Sequence, residues 1–372
     1  MQLPFLPLWL HAKGLTVAEI AIVVAAMTGC RIFAVTLAAF IADKHRNRRS
    51  VIIFCGFASC FGYLMLASAS GFWPIFFGSL LASLCIAPIF PLAEGFSLDG
   101  SAVHGLDYGR LRLWASLSFL LGSVGGGALL QYLPIGGLVY LIAAAQGVSA
   151  LVSLLLPADP ELDRPAQASE RPANLLRAFK ALMSGAFVVF IAAVSLGQAS
   201  HAMLYSFGPV HWDALGYDKF TIGCFWAVSI MAEVTLFGFS NALIKRFGPM
   251  HLMIAGIAGG AIRWLIMAND FGLAVSAFTQ LLHAVSFAML HLGAMHYIRQ
   301  TVPNGLRNSA QGLYAAFANG IAMSAMMGFS GLLYGQLLGK TYLVMAVVSL
   351  MALTFAFTLK RISPRVLAAA DT

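Results

Sequence analysis

The sequence predicts an all-α integral membrane protein built from two six-helix halves, and three observations support this prediction. The chain of 372 residues is 60% hydrophobic and only 10% charged, with a mean hydropathy of +0.85, which is more apolar surface than a soluble core of this size could bury. Apolar runs of about 20 residues, the length that crosses the hydrocarbon of a bilayer as a helix, recur along the chain. One long polar stretch near the middle divides these runs into two sets.

The apolar runs predict eleven complete membrane spans, separated by short polar or Gly/Pro-marked breaks. The N-terminal segment MQLPFLPLWLH is too short to cross a bilayer alone, and it has neither the basic start nor the small-residue cleavage site of a signal peptide. We interpret it as the C-terminal end of a first helix with a truncated or misassigned start, in preference to a genuine eleven-helix protein. The predicted spans are 16–42, 50–70, 72–98, 110–132, 136–156, 180–209, 220–244, 250–268, 271–298, 307–335 and 341–359.

The polar stretch from Leu156 to Lys180, rich in Pro, Ala and charge, predicts a boundary between the two halves. We expect an N-terminal half at 1–156, a cytoplasmic linker at 157–179 and a C-terminal half at 180–372. A basic turn follows the second helix of each half, in AAFIADKHRNRRSV and in SNALIKRFGPMH, which indicates an internal duplication. For the second copy alone, the basic character of any inner loop explains the pattern equally well.

Lysines and arginines are distributed unequally between the two sides of the predicted membrane. If the N-terminal fragment ends outside, 17 of the 22 basic residues lie in inner loops or inner helix ends and three lie outside, while Arg31 and Arg263 are within spans. This bias sets the orientation, so the net charge of +8 reports topology and gives no indication of nucleic-acid binding. The five cysteines all fall in predicted spans without metal-type spacing, and we interpret them as small apolar residues.

Charged and titratable residues inside predicted spans are the first candidates for a functional site, because each charge there costs roughly 2.5 to 3.5 kcal/mol and needs compensation. The spans 220–244 and 250–268 are antiparallel and place Glu233 and Arg263 within about two helical turns, which predicts an ion pair with either a functional or a packing role. A packing role is favoured for Arg31, which has no carboxylate at its depth. The full set is Arg31, Glu94, His201, Glu233, Arg263, His283 and His291.

The histidines do not predict a metal site. His283 and His291 are eight residues apart, outside the spacing that puts two ligands on one helix face, and no cysteine or carboxylate joins them at ligand spacing. A proton relay suits them, since histidine titrates near neutral pH, but a hydrogen-bonded core histidine is the competing interpretation. Gln198, His201 and Tyr205 form one polar stripe at helical spacing, which either lines a cavity or joins two helices.

The first basic loop closely resembles a loop motif of the major facilitator superfamily, small-x-x-x-Asp-Arg/Lys-x-Gly-Arg-Arg/Lys. The matching residues are Asp43, Lys44, Arg48 and Arg49, while Arg46 replaces the Gly and Asn47 replaces a basic residue. In that family the loop makes charge contacts with the inner end of a neighbouring helix and stabilises one of the alternating states. The resemblance assigns this role to Asp43 and Arg48.

Longer stretches resemble the phenylpropionate permease group of the same superfamily across nearly the whole chain. They are LDYGRLRLWASLSFLLGS, PLAEGF, GQASHAMLYSF, AIRW and LLHAVSFAMLHLGAMHYI. The resemblance implies a fold of two six-helix halves that transports a small organic acid, and Trp114, Phe119 and Tyr205 are the aromatic residues we expect near such a substrate.

More distantly, the layout is similar to that of lactose permease. The similarity implies a substrate-binding pair of Glu94 and Arg112 with Ser116 one turn on, and His201 and Tyr205 complete our expected substrate site. Two residues apart, Arg110 and Arg112 are turned by about 200 degrees on a helix, so we assign Arg110 to the inner surface and Asp107 to the helix N-cap.

In the second half, the same similarity implies a coupling group of Glu233, Arg263 and His283, to which we add His291. The interval of twenty residues between Arg263 and His283 is kept. Ser286, however, stands where lactose permease has the carboxylate that carries the coupling proton. Glu233 is therefore the leading candidate for that role here.

Together these features predict a proton symporter that takes up an aromatic acid such as 3-phenylpropionate by alternating access. We expect a multi-pass monomer in the bacterial cytoplasmic membrane, with the lipid bilayer and a small substrate as partners, no nucleic acid, no metal and no cofactor beyond the proton gradient. A sugar or a nucleoside is the main alternative substrate. Export is less favoured, because GSVGGGALL lacks the proline of the antiporter pattern Gly-Pro-x-x-Gly-Gly. An enzyme is disfavoured because the polar residues do not gather in one catalytic cluster. A channel is disfavoured because they do not form a ring of like residues.

Overall fold

The structure, a computed structural model, describes residues 2–105, 107–157, 185–303 and 306–370, except for the side chains at 102, 108, 109, 112, 308 and 363–370. The described residues contain helices and no strand. Residues 158–184 lie outside this set, so the linker at 157–179 and the boundaries of the two halves stay predictions. The helices are α1 (Gln2–Ala12), α2 (Val17–His45), α3 (Arg48–Ser68), α4 (Phe72–Ile86), α5 (Ile89–His104), α6 (Tyr108–Tyr132), α7 (Leu138–Ser153), α8 (Gly185–Ala199), α9 (Ala202–Ala214), α10 (Lys219–Gly238), α11 (Ser240–Met267), α12 (Leu273–Leu281), α13 (Leu290–Thr301), α14 (Arg307–Tyr314), α15 (Met323–Leu337) and α16 (Thr341–Ala370).

Ten runs of helix within the described residues are long and apolar enough to cross a membrane. The last of them, Ser309–Ile362, has 54 residues and would measure about 80 Å as one straight helix, more than twice the hydrocarbon thickness. It is interrupted at Leu338, where φ is +48°, and it covers the predicted span 307–335 from residue 309 onward and all of the predicted span 341–359. The prediction of an all-α integral membrane protein is confirmed.

Several spans that the sequence predicts as continuous are broken. The span 72–98 divides into α4 and α5 at Ala87 and Pro88, since proline has no N–H to continue the helix. The span 180–209 divides into α8 and α9 at Ser200 and His201. Two π-helical segments interrupt later spans: Ala284–Met289 lies within the predicted span 271–298, and Ala315–Ala322 lies within 307–335.

Helix ends are capped as the local sequence predicts. Asp107 lies just before α6, where its carboxylate accepts the Arg110 N–H at 3.3 Å, which confirms it as the N-cap. Asp218 does the same for α10 with the Thr221 N–H at 2.7 Å, and this hydrogen bond lowers the pKa of the Asp218 carboxyl.

The described residues form two compact units, one of residues 2–157 and 212–224 and the other of residues 185–211 and 225–370. In the first unit α3 packs against α4 and α7, where Gly62 meets Ala82 and Gly56 meets Ala150. Small residues of this kind let helix backbones approach closely within a membrane.

In the second unit, α11 and α8 pack against α16, and α11 also packs against α13 and the first π segment. The contact between α11 and α13 is close at Gly256. A Cβ atom added there would lie 2.7 Å from the backbone N of Leu290 and 3.0 Å from its Cα. Because those atoms belong to the backbone, rotation of a side chain does not relieve the overlap.

We therefore expect Gly256→Ala to destabilise the protein by about 1 to 3 kcal/mol through overpacking. The matched control is Gly125→Ala in α6, where no atom lies within 4 Å of the added Cβ and alanine favours the helix. Thermal unfolding of the two purified variants in detergent provides the comparison. Equal midpoints for both variants would contradict the predicted contact.

Candidate functional site

The side chain of Arg263, from α11, is completely buried in the second unit, with 0% exposed. One terminal nitrogen contacts His283 Nδ1 at 3.0 Å and donates to Ser286 Oγ at 3.2 Å, and the other donates to Gln280 Oε1 at 2.9 Å. The guanidinium also lies 4.8 Å from the centre of the Trp264 ring. Three neutral acceptors and an aromatic face thus stabilise this buried cation.

The contact with Arg263 determines the tautomer of His283. A guanidinium has only donors, so His283 Nδ1 accepts, and the proton of the neutral ring is on Nε2. That nitrogen lies 3.6 Å from Oε2 of Glu233 on α10. Glu233 and Arg263, for which the sequence predicts an ion pair, are therefore joined through the imidazole of His283.

A second chain of contacts starts at Ser286, within the first π segment. Its hydroxyl accepts from Arg263, so it donates to His201 Nε2, which is 3.1 Å away. His201 Nδ1 then donates to the backbone oxygen of Gln198 at 3.1 Å. These bonds connect α11, the π segment and the break between α8 and α9, so Ser286 has a structural partner on each side.

Aromatic rings surround this polar group. Tyr205 stacks between His201 and Trp226, with centroid distances of 5.8 and 5.9 Å, and Trp264 meets His201 edge-on at 4.9 Å. Phe287 stacks on His283 at 5.1 Å. The cluster therefore offers both a flat apolar surface and hydrogen-bonding groups, as a site for an aromatic molecule requires.

Gln198, Tyr314 and His291 form a second polar group in the same unit. The Gln198 amide donates to the Tyr314 hydroxyl at 3.2 Å, and that hydroxyl is 3.0 Å from His291 Nδ1. The Tyr314 hydroxyl thus connects the amide of Gln198 with the ring of His291. The side-chain oxygen of Gln198 is buried without a partner among the described residues.

The π segment changes how His283 and His291 relate to each other. Eight residues turn a regular α-helix by about 80 degrees beyond two full turns. A π turn holds about one residue more than an α turn, which returns the two side chains to nearly the same face. The rings of His283, Phe287 and His291 are stacked as a result, with successive centroids 5.1 and 6.2 Å apart.

The substrate pair predicted in the first unit is described only in part. Glu94 lies in α5 and Ser116 in α6, and both are half-buried. Arg112 is on the first turns of α6, but its side chain is outside the described residues, so the pair of Glu94 and Arg112 stays a prediction. Arg110 is 87% exposed in its side chain, in agreement with a position at the membrane surface.

The basic loop between α2 and α3 is fixed by contacts within the first unit. Arg48 forms an ion pair with Asp99 of α5 at 2.8 Å, and Arg49 donates to the backbone oxygen of Leu154 at 2.9 Å. Asp43 and Lys44, which the resemblance also places in this motif, are exposed at the end of α2. The charge contact expected for Arg48 is therefore present, with a partner that the sequence did not indicate.

Comparison with known proteins gives the family. Residues 1–346 match the family described as MFS_1 like. The chain belongs to this family of the major facilitator superfamily. Two relatives are a probable 3-phenylpropionic acid transporter from Escherichia coli, 28% identical with 94% of this chain and 91% of the relative covered, and a maltose permease from Geobacillus stearothermophilus, 25% identical with 71% and 65% covered.

The fold is that of major facilitator transporters. The crystal structure of the nucleoside transporter NupG superimposes with a TM-score of 0.83 at 19% identity and covers 96% of this chain and 94% of that one. This protein is thus a multi-pass membrane transporter and not an enzyme, and its likeness to the phenylpropionate permease group is confirmed.

Sequence reasoning missed the contacts of four residues of this major facilitator transporter: Gln280 and Ser286 with Arg263, Asp99 with Arg48, and Tyr314 with His291. Gln280 and Ser286 lie three residues before and after His283, so a polar stripe at helical spacing was visible. Asp99 had a weaker signal, a carboxylate five residues after Glu94 near an inner helix end. Tyr314 had no signal, since tyrosine is common in membrane helices.

We expect Arg263→Lys to destabilise the protein, because one ammonium group cannot reach Gln280, His283 and Ser286 in the fork geometry of a guanidinium. Each acceptor left unpaired costs about 1 to 3 kcal/mol. The matched control is Arg361→Lys, at an exposed position of α16, which should unfold at the temperature of the unmodified protein. Thermal unfolding in detergent distinguishes them, and a stable Arg263→Lys variant would show that the fork is dispensable.

Proposed function

We propose that this transporter takes up a small aromatic carboxylic acid together with a proton, by alternating access in the bacterial cytoplasmic membrane. The observation that supports coupling is the placement of His283 between the buried cation Arg263 and the carboxylate of Glu233. We further propose that it works as a monomer without cofactor or metal, with the proton gradient as its driving force and the lipid bilayer as its surroundings.

Glu233 is the proposed site of the coupling proton. Its side chain is only 20% exposed and lies at membrane depth, where a carboxylate is stable only with compensation. When Glu233 is ionised, its negative charge balances Arg263 through the imidazole of His283. When it is protonated that balance is lost, and a negative substrate can restore it. Binding of the proton and of an organic anion then favour each other.

Each unit, taken by itself, carries groups suited to an aromatic acid. In the second unit the half-buried rings of Tyr205, which stacks on the buried Trp226, and of Phe287 give flat apolar surfaces beside hydrogen-bonding groups. In the first unit Arg112 is suited to bidentate binding of a carboxylate. The relative described as a probable 3-phenylpropionic acid transporter, which covers nearly the whole chain, supports the same substrate class.

Uptake of labelled 3-phenylpropionate into proteoliposomes tests the proposal. We expect accumulation when the outside is acidic and none after the gradient is collapsed with a protonophore. Uptake that is unchanged by the protonophore would remove the claim of proton symport, and absence of saturable uptake would remove the substrate class.

The variant Glu233→Gln separates coupling from binding within that assay. It should lose gradient-driven accumulation but keep counterflow of labelled against unlabelled acid, because a permanently neutral side chain mimics the protonated state. Glu19→Gln, at the outer end of α2, is the matched control and should retain accumulation.

A sugar or a nucleoside remains the second candidate substrate, favoured by the maltose permease relative and by the superposition on a nucleoside transporter. Arg112→Lys separates the candidates. An acid bound by the bidentate fork should lose at least tenfold in affinity, which corresponds to about 1.4 kcal/mol. Arg110→Lys is the control two residues away and should behave as the unmodified protein. Full acid affinity in Arg112→Lys would argue against this contact.

A further inference from the structure

A cleft of about 740 Å³ lies in the first unit, between α2, α3 and the junction of α4 with α5. Its walls are apolar over most of their length. Leu37 and Phe54, on opposite walls, are 60% and 72% exposed, so the cleft is open at the surface, and Cys85 lies on the third wall. The cleft shares no residue with the candidate site for substrate and proton.

The depth of the cleft corresponds to one leaflet of a membrane. Along α2 it extends over the twelve residues from Ala34 to His45, or about 17 Å of helix. The hydrocarbon of a whole bilayer is about 30 Å thick, so a groove that starts at the inner surface ends near the midplane. An acyl chain of an inner-leaflet lipid has this reach.

The inner end of the cleft is polar and positively charged. His45, Asn47 and Ser50 line it, and the same turn between α2 and α3 carries Lys44, Arg46, Arg48 and Arg49. Two carboxylates oppose these four cations, Asp43 on the last turn of α2 and Asp99, which pairs with Arg48. Counted over the described residues of this turn together with Asp99, the four cations exceed the two carboxylates by two, beside the N-terminus of the 21-residue helix α3, where Asn47 Oδ1 accepts the Ser50 N–H at 3.0 Å.

We propose that this cleft binds one anionic phospholipid of the inner leaflet. One acyl chain lies along Leu37, Ile41 and Phe54, and the phosphate lies at the loop beside Lys44 and Asn47. Apolar burial supplies most of the affinity, and the loop charges select an anionic headgroup over a zwitterionic one. A water-soluble anion would lack the apolar part of this contact, and a protein partner would have to reach a surface at membrane depth.

The lipid would contact the turn between α2 and α3, next to which Arg48 pairs with Asp99. Because α2, α3 and the junction of α4 with α5 all line the cleft, one bound lipid connects the elements that this ion pair also joins. The bound lipid should therefore stabilise the conformation in which Arg48 and Asp99 are paired.

The rate at which Cys85 is chemically modified measures whether a lipid occupies the cleft. A full-length variant that keeps Cys85 as its sole cysteine is purified in detergent, and its rate of modification by N-ethylmaleimide is followed by intact mass. We expect added phosphatidylglycerol to slow the reaction about tenfold in a saturable manner, and phosphatidylcholine to slow it less than about twofold. A variant that keeps only Cys224, on α10, is the control and should react at the same rate with either lipid.

Two substitutions separate the headgroup from the acyl chain. Lys44→Gln should raise the phosphatidylglycerol concentration for half-protection about fivefold, since one basic residue near an anionic lipid contributes a factor of this order. Lys245→Gln, in the inner basic loop of the second unit, is the matched control and should change nothing. Leu37→Trp should fill the cleft, so that Cys85 reacts slowly and equally with and without lipid.

Equal protection by phosphatidylcholine and phosphatidylglycerol would overturn the anionic site, and so would an unchanged lipid dependence in Lys44→Gln. Equal slowing at Cys224 would also overturn it, because the effect would then come from the micelle. None of these measurements uses transport, so their outcome is independent of the proposed substrate and coupling.

Discussion

The burial of Arg263 is the constraint on which the second unit depends. A guanidinium with no exposed surface at membrane depth must find acceptors for its N–H groups. They come from Gln280 at the end of α12 and from His283 and Ser286 at the first π segment, and Ser286 extends the contact to His201 between α8 and α9. These acceptors bind both terminal nitrogens, while Nε has no partner among the described residues, and none of them supplies a negative charge. The carboxylate of Glu233 lies 3.6 Å from the other ring nitrogen of His283, which makes the structural arginine part of the candidate functional site.

Both π segments begin directly after a residue of a polar group, one after His283 and one after Tyr314. Such segments widen a helix and disturb its hydrogen bonds, and they are tolerated at membrane depth only where the backbone is enclosed by protein. Here the first segment aligns His283 with His291, and His291 contacts Tyr314 at the start of the second. Two irregular helices thus meet at a histidine and a tyrosine, within the polar group that also contains Gln198.

The sequence predicted what depends on hydropathy and on isolated charge. A span needs about 20 apolar residues whatever surrounds it, and a charge such as Arg263 or Glu233 within an apolar run is visible without any structure. The π segments were not predictable, because AVSFAM and AAFANGIA are ordinary helical sequences and tertiary contacts decide their geometry. The argument from sequence against a metal site relied on the spacing of His283 and His291 in a regular helix, and the π segment between them changes that spacing. The partners of Arg48 and Arg263 are ordinary polar residues of membrane helices, and only the fold identifies them.

Ser286 shows how the proposed coupling differs from that of lactose permease. A hydroxyl at this position can accept from Arg263 and donate to His201 at once, so it joins two helices without adding charge. A proton carrier must then lie elsewhere. His283 is a poor candidate for a second proton, because Nδ1 would have to give up its bond from Arg263 and a second cation would face the first. Neither obstacle applies to protonation of Glu233, because a neutral carboxylic acid adds no second cation and His283 Nδ1 keeps its bond from Arg263. In this mechanism the proton rests on the carboxylate, and the neutral imidazole connects that carboxylate to the buried arginine.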